Sequence, residues 1–209
     1  MARRRTRTAS CGAVLLCLVA LVSCSKAASE PPTERVAVVG DSITFLSTND
    51  IETALGSAGY DATVVGRIGK TAGDVHGDVD AAARQHPDIV LFELGTNDAT
   101  RSANGQGSAL AFEMAMQHYI DELKGSCLVA TTVTEHRPSL IENRTAAAIN
   151  AWIETHFTHV VDWDTYEWTR REAGVALVKD DVHPNGFGQA ALAELDLDAV
   201  RQCTGVPNT

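Results

Sequence analysis

Five short apolar runs stand out along the chain, each four to seven residues long and rich in branched side chains. Residues 36–39 (Val-Ala-Val-Val) stop at Gly40, and comparable runs occupy 62–65, 89–94, 127–133 and 159–162. A compact branched run closed by a turn residue reads as a strand buried on both faces. Most of the intervening segments have helical length and period: 75–85, 108–123, 139–157 and 187–200. In the third of these, Ile141, Ala148, Ile149, Trp152, Ile153 and Phe157 recur at three- and four-residue steps, which predicts one apolar helix face. Pro87 closes one helical pattern before a strand and Gly125 closes another, as helix-stop chemistry requires. Strands alternating with helices need crossover connections, so the expected fold class is α/β, a three-layer α/β/α sandwich around a mainly parallel five-stranded sheet. Ligands of such sheets bind outside the carboxyl ends of the strands, and the residues that follow each strand therefore carry the functional information.

The first 23 residues do not fit this pattern. Arg3, Arg4, Arg5 and Arg7 precede a continuous apolar run over 12–22, and no acidic residue occurs before Glu30. Eleven residues are too few to span a bilayer, which takes about 20. A basic start, a short apolar stretch and small residues behind it form a secretion signal. Leu21-Val22-Ser23-Cys24 resembles a bacterial lipobox, which makes Cys24 the expected lipidation site, 1–23 a lipoprotein signal peptide and 24–34 a tether. Ordinary cleavage near Ala27, giving a secreted protein, is the alternative. The expected location is the extracytoplasmic face of the membrane, held by the lipid anchor alone.

Composition narrows the possible partners. The 209 residues include 17 basic and 27 acidic ones, a net charge of −10, and removal of 1–23 leaves 13 basic residues and a charge of −14. A nucleic-acid partner is therefore not expected. Of five cysteines, Cys11 and Cys17 lie in the signal and Cys24 is the lipid site. The remaining pair, Cys127 and Cys203, suggests a disulfide in an exported domain, two free thiols being the alternative. No Cys-x-x-Cys or paired Cys/His spacing predicts a structural zinc site.

Four turn segments carry candidate chemistry. Gly40-Asp41-Ser42 follows the first strand; by itself it is equally a helix cap. Gly66-Arg67-Ile68-Gly69-Lys70-Thr71 follows the second. It is too sparse in glycine for a dinucleotide loop, and Val64 stands where a phosphate loop needs its first glycine. Gly95-Thr96-Asn97-Asp98 follows the third strand and offers a side-chain amide as donor to an oxyanion. Asp180-Asp181-Val182-His183-Pro184 lies near the far end, where a carboxylate three positions before a histidine can fix its tautomer. Two stretches remain outside this set. The acidic segment 74–80, with His76 embedded, does not match a calcium loop and reads as a solvated helix start. The aromatic segment 162–168 offers either a sugar-stacking platform or, preferred, a cover for a core edge.

Taken together and in this order, the four blocks resemble the SGNH (GDSL) hydrolase family over 35–209. The resemblance implies a flavodoxin-like sheet and a serine esterase of short acyl or acetyl esters, without metal or organic cofactor, working as a monomer. It also implies Ser42 as nucleophile, His183 as general base and Asp180 as its orienting acid. Ser42, Gly69 and Asn97 would form the oxyanion hole, with Asp41 and Asp98 in support. One departure is Asp181, where many members have glycine, and it leaves open which carboxylate pairs with His183. An acyltransferase or deacylase of envelope glycans, and a catalytically silent binding lipoprotein, are the competing functions. Loops 99–107 and 135–138 are expected to shape the acyl pocket.

Overall fold

The computed structural model describes residues 33–204; the expected signal segment, the expected lipidation site Cys24 and most of the expected tether lie outside them. Five strands form one sheet: β1 (Arg35–Gly40), β2 (Asp61–Gly66), β3 (Ile89–Glu93), β4 (Cys127–Thr131) and β5 (His159–Val161). Every pairing is parallel and the order is β2-β1-β3-β4-β5, the doubly wound arrangement expected. Seven helices connect and flank them: α1 (Ser42–Ser57), α2 (His76–Ala83), α3 (Thr96–Ser102), α4 (Ala109–Glu122), α5 (Leu140–His156), α6 (Trp163–Glu172) and α7 (Gly186–Thr204), with a 3₁₀ turn at Ala72–Val75 before α2. None of the helices in these residues is long and apolar enough to cross a membrane.

Alternation along the strands sorts the core into two layers. Val36, Val38, Ile89, Leu91 and Val129 pack with Ile51 and Leu55 of α1 and Leu192, Ala199 and Val200 of α7. Ala37, Val39, Val90, Phe92 and Ala130 face Val79 of α2, Phe112, Met116 and Tyr119 of α4 and Ile149 and Ile153 of α5. The period of two places Glu93 on the α1/α7 side, following Ile89 and Leu91. It is the one charged residue in an otherwise apolar strand.

The apolar face expected for α5 holds at Ile149 and Ile153, but Ile141 in the first turn is 54% exposed. Ala148, also expected on that face, is exposed as well. Three helices escaped the periodicity. α1 opens with Ser42, Ile43 and Thr44 all buried. α3 is only seven residues long, and α6 is strongly polar with Trp163 and Glu167 as its buried positions.

Cys127, at the start of β4, and Cys203, near the end of α7, form a disulfide with Cα atoms 5.9 Å apart. The pairing suggested by the cysteine count is thus present. The loop it closes, with a sequence separation of 76, corresponds to about 4.5 kcal/mol of lost unfolded-chain entropy.

Candidate active site

The sheet order reverses between β1 and β3, and their carboxyl ends meet at Gly40 and Glu93, which are register partners. Asp41 begins the turn out of β1: its N–H donates to the Glu93 carbonyl at 3.2 Å, and its side chain accepts from the Ile43 N–H at 2.9 Å. Asp41 is therefore the N-cap of α1, and Ser42 is the first helical residue. The turn needs glycine at position 40, because a Cβ there would land on the Thr44 hydroxyl. A helix N-terminus leaves backbone N–H groups without intrahelical acceptors, so Ser42 sits at a ready anion-binding position.

His183 comes from the segment between α6 and α7. An antiparallel bridge between Val178 and Pro184, with the Lys179 N–H on the His183 carbonyl at 2.9 Å, folds that segment into a tight loop. Asn185, rather than the histidine, caps α7, accepting from the N–H groups of Phe187 and Gly188 at 2.9 and 3.1 Å. The histidine ring is thereby left for other work. Its Nε2 is 3.0 Å from the Ser42 Oγ, and its Nδ1 is 3.0 Å from both carboxylate oxygens of Asp180. Asp180 also accepts the His183 backbone N–H at 2.8 Å. Burial works against ionisation of Asp180, but the His183 N–H, ring and charge outweigh it and hold the carboxyl below its ordinary range.

The ambiguity over Asp181 disappears in this geometry. Its carboxylate accepts from Arg171 at 3.1 Å, and its backbone lies at φ +63°, in the left-handed region. Glycine occupies that region without cost and aspartate is among the few other residues that tolerate it. A glycine would thus be at ease at this position, and Asp181 gains an ion pair with Arg171 instead.

The remaining expected site residues come from the loops after β2 and β3. Gly69 lies at φ +72° in the turn closed by the Lys70 N–H on the Arg67 carbonyl, and its own carbonyl is held by Arg101. Its N–H has no acceptor among the described residues. Asn97, in the first turn of α3, donates from Nδ2 to Asp41 Oδ2 at 3.2 Å. Asp98 accepts the Ala72 N–H at 2.9 Å, tying α3 to the segment after Gly69. Both supporting acids are buried, and burial is the main reason that Asp41 is raised to about 7 and Asp98 to about 6. The Ile43 N–H and Asn97 oppose the rise at Asp41, and the neighbouring Glu93 and Asp98 add to it.

A small cleft opens between β3, β4 and β5, lined by Ile43, Thr96, Thr131–Thr134, Trp163 and Val182 among others. Three of these residues are the immediate chain neighbours of Ser42, Asn97 and His183. Loops 99–107 and 135–138, expected to shape the acyl pocket, do not line this cleft. Part of the first is the helix α3, and Arg137 of the second is buried, bonded to the carbonyls of Thr134 and Thr96 and the Thr100 hydroxyl. The aromatic segment follows the core-cover reading: Trp163 is buried and Trp168 stacks on His136 with centroids 3.6 Å apart.

Sequence reasoning missed one feature beneath the site. Glu93 and Asp196 of α7 are both fully enclosed, and the Thr44 hydroxyl of α1 donates to Glu93. Glu93 Oε1 and both oxygens of Asp196 have no donor from elsewhere. Burial raises both carboxyls, Asp196 far above its usual range, so the pair holds at least one proton at neutral pH. It joins β3 to the helix that begins with Ser42 and to the helix that follows His183. The available signal was a glutamate inside an apolar strand run.

Comparison with known proteins agrees with this geometry. The model of the GDSL-like Lipase/Acylhydrolase family matches residues 38–191. No curated protein matches in sequence. Among solved structures, the fold is similar to a lipase/acylhydrolase from Enterococcus faecalis (TM-score 0.68, 17% identity, 81% of this chain and 96% of the other). It is also similar to a lipolytic G-D-S-L protein from Veillonella parvula (0.65, 18%, 79% and 97%). The psychrotrophic esterase EstA from Pseudoalteromonas sp. is a third (0.62, 14%, 82% and 99%). With a family match spanning most of the chain and its four sequence blocks gathered at one sheet edge, the protein belongs to the GDSL-like lipase/acylhydrolase family.

Proposed function

We propose that this family member is an extracytoplasmic serine esterase that hydrolyses short acyl or acetyl esters through an acyl-enzyme on Ser42. The observation that carries the reading is the continuous hydrogen-bonded line from Ser42 Oγ through His183 to Asp180, each link 3.0 Å. His183 Nε2 takes the hydroxyl proton as Oγ attacks the ester carbonyl. Asp180 keeps Nδ1 protonated and offsets the imidazolium charge. The developing oxyanion is met by the backbone N–H groups of Ser42 and Gly69 and by the Asn97 amide. As the C–O bond to the alcohol breaks, His183 returns the proton to the leaving oxygen. A water activated by the same histidine then releases the acid and restores Ser42. Every proton and bond in this cycle is accounted for by these side chains and water.

The cleft beside Ile43, Thr96 and Val182, the chain neighbours of Ser42, Asn97 and His183, supports an acyl group seated at this end of the sheet. The lipobox-like Leu21-Val22-Ser23-Cys24 supports membrane anchoring, and a Cys127–Cys203 disulfide suits an oxidising compartment. The test is hydrolysis of nitrophenyl esters from acetate to long chains. Ser42→Ala should lower turnover of the acetate ester by about 10⁴–10⁶-fold with the fold intact. Retained activity in that variant, or preference for long chains in the parent, overturns the reading.

A further inference from the structure

On the face of the domain formed by α2 and α4, two helical pairs confront each other. His76 and Asp80 are one turn apart on α2, with Nε2 and Oδ1 at 3.8 Å. His118 and Glu122 are one turn apart on α4, with Nε2 and Oε2 at 3.9 Å. The two imidazoles lie with ring centroids 4.9 Å apart, and potential ligand atoms of His76, His118 and Glu122 all fall within 4.8 Å of one another. We propose that His76, His118 and Glu122 bind a divalent transition-metal ion of the zinc type.

The donor set selects the ion. Imidazole nitrogens with carboxylates favour zinc and its late first-row neighbours, whereas magnesium and calcium require oxygen alone. Metal–ligand bonds of about 2.0–2.1 Å in a tetrahedron separate donor atoms by about 3.3 Å. Closing from 4.8 Å asks for a movement of about 1.5 Å, within reach of ordinary side-chain rotations at exposed positions. The backbone positions are already fixed. The Tyr119 ring lies nearly parallel to His76, 6.1 Å from it, and its hydroxyl donates to the Ala72 carbonyl at 2.7 Å, so the floor of the site is tied to the turn that starts α2. A bound ion would cross-link two helices that are remote in sequence. Such pairing across helices explains why local Cys/His spacing gave no sign of it. The second histidine-containing cluster among the described residues, Cys127, His159 and Cys203, is not equivalent, because both sulfurs are committed to the disulfide.

The experiment is calorimetric titration of the oxidised, chelator-treated full chain with ZnCl₂ and, separately, MgCl₂. One equivalent of zinc should bind, and the doubly substituted His76→Gln/His118→Gln chain should bind at least about tenfold more weakly. The double variant should keep the melting temperature of the metal-free parent, since both positions are exposed. His183→Gln serves as the control for binding at the Ser42 site and should retain the equivalent. Absence of zinc binding, equal affinity in the double variant, loss of the equivalent in His183→Gln, or magnesium binding as well as zinc would each overturn the proposal. None of these readouts depends on ester hydrolysis.

Discussion

The buried acid pair makes the stability of this domain depend on pH in a direction that one substitution should change. Glu93 and Asp196 are 5% and 0% exposed and retain at least one proton at neutral pH, because ionising both would leave two charges in the core. In the unfolded chain both carboxyls are ionised above about pH 5. Unfolding therefore releases a proton throughout the neutral range, and stability falls as pH rises. The slope is about 1.4 kcal/mol per pH unit for each proton held. From pH 6 to pH 8 one proton accounts for about 2.7 kcal/mol, or about 5–10 °C in melting temperature for a domain of this size. Asp196→Asn removes that proton and keeps the shape, its amide donating to the otherwise unpartnered Glu93 Oε1. Stability of the variant relative to the parent should improve by about 2–3 kcal/mol between pH 6 and pH 8. Any fixed packing cost of the amide cancels in that difference. Denaturant unfolding followed by tryptophan fluorescence at both values measures it. A relative stability that does not change with pH would refute a proton-holding pair.

Two further substitutions separate roles within the site. Asp180→Asn should lower turnover by about 10³–10⁴-fold, whereas Asp181→Asn should leave it within about threefold, as judged by steady-state ester hydrolysis; equal losses would mean that the carboxylates are assigned wrongly. Asn97→Ala should lower kcat by about 10²–10³-fold with a smaller change in KM, as expected for a donor to a developing oxyanion.

Where the sequence could be read, the reason was periodicity or turn chemistry. The strand runs at 36–39 and 62–65 stand out because parallel strands are apolar on both faces, and the observed β1 and β2 extend them by one residue at each end. The disulfide followed from counting cysteines once those of the expected signal segment were set aside. What stayed hidden depends on contacts between distant segments. α6 is strongly polar, with Glu167 as one of its two buried positions, and so gives only a faint apolar pattern. The Glu93–Asp196 pair joins β3 to α7, over a hundred residues apart, and no local pattern links them. Only the folded loop between Val178 and Asn185 shows that Asp180 faces His183 while Asp181, one residue on, turns to Arg171.

The central claim is that Ser42 is a nucleophile activated by His183. A fluorophosphonate probe tests it, because an activated serine hydroxyl displaces fluoride from phosphorus and keeps the phosphonyl group. Intact-mass analysis after labelling should show one adduct per chain, peptide mapping should place it on Ser42, and His183→Ala should slow its formation by at least about 10³-fold. A folded chain that takes up no probe, or takes it up elsewhere than on Ser42, would contradict the account.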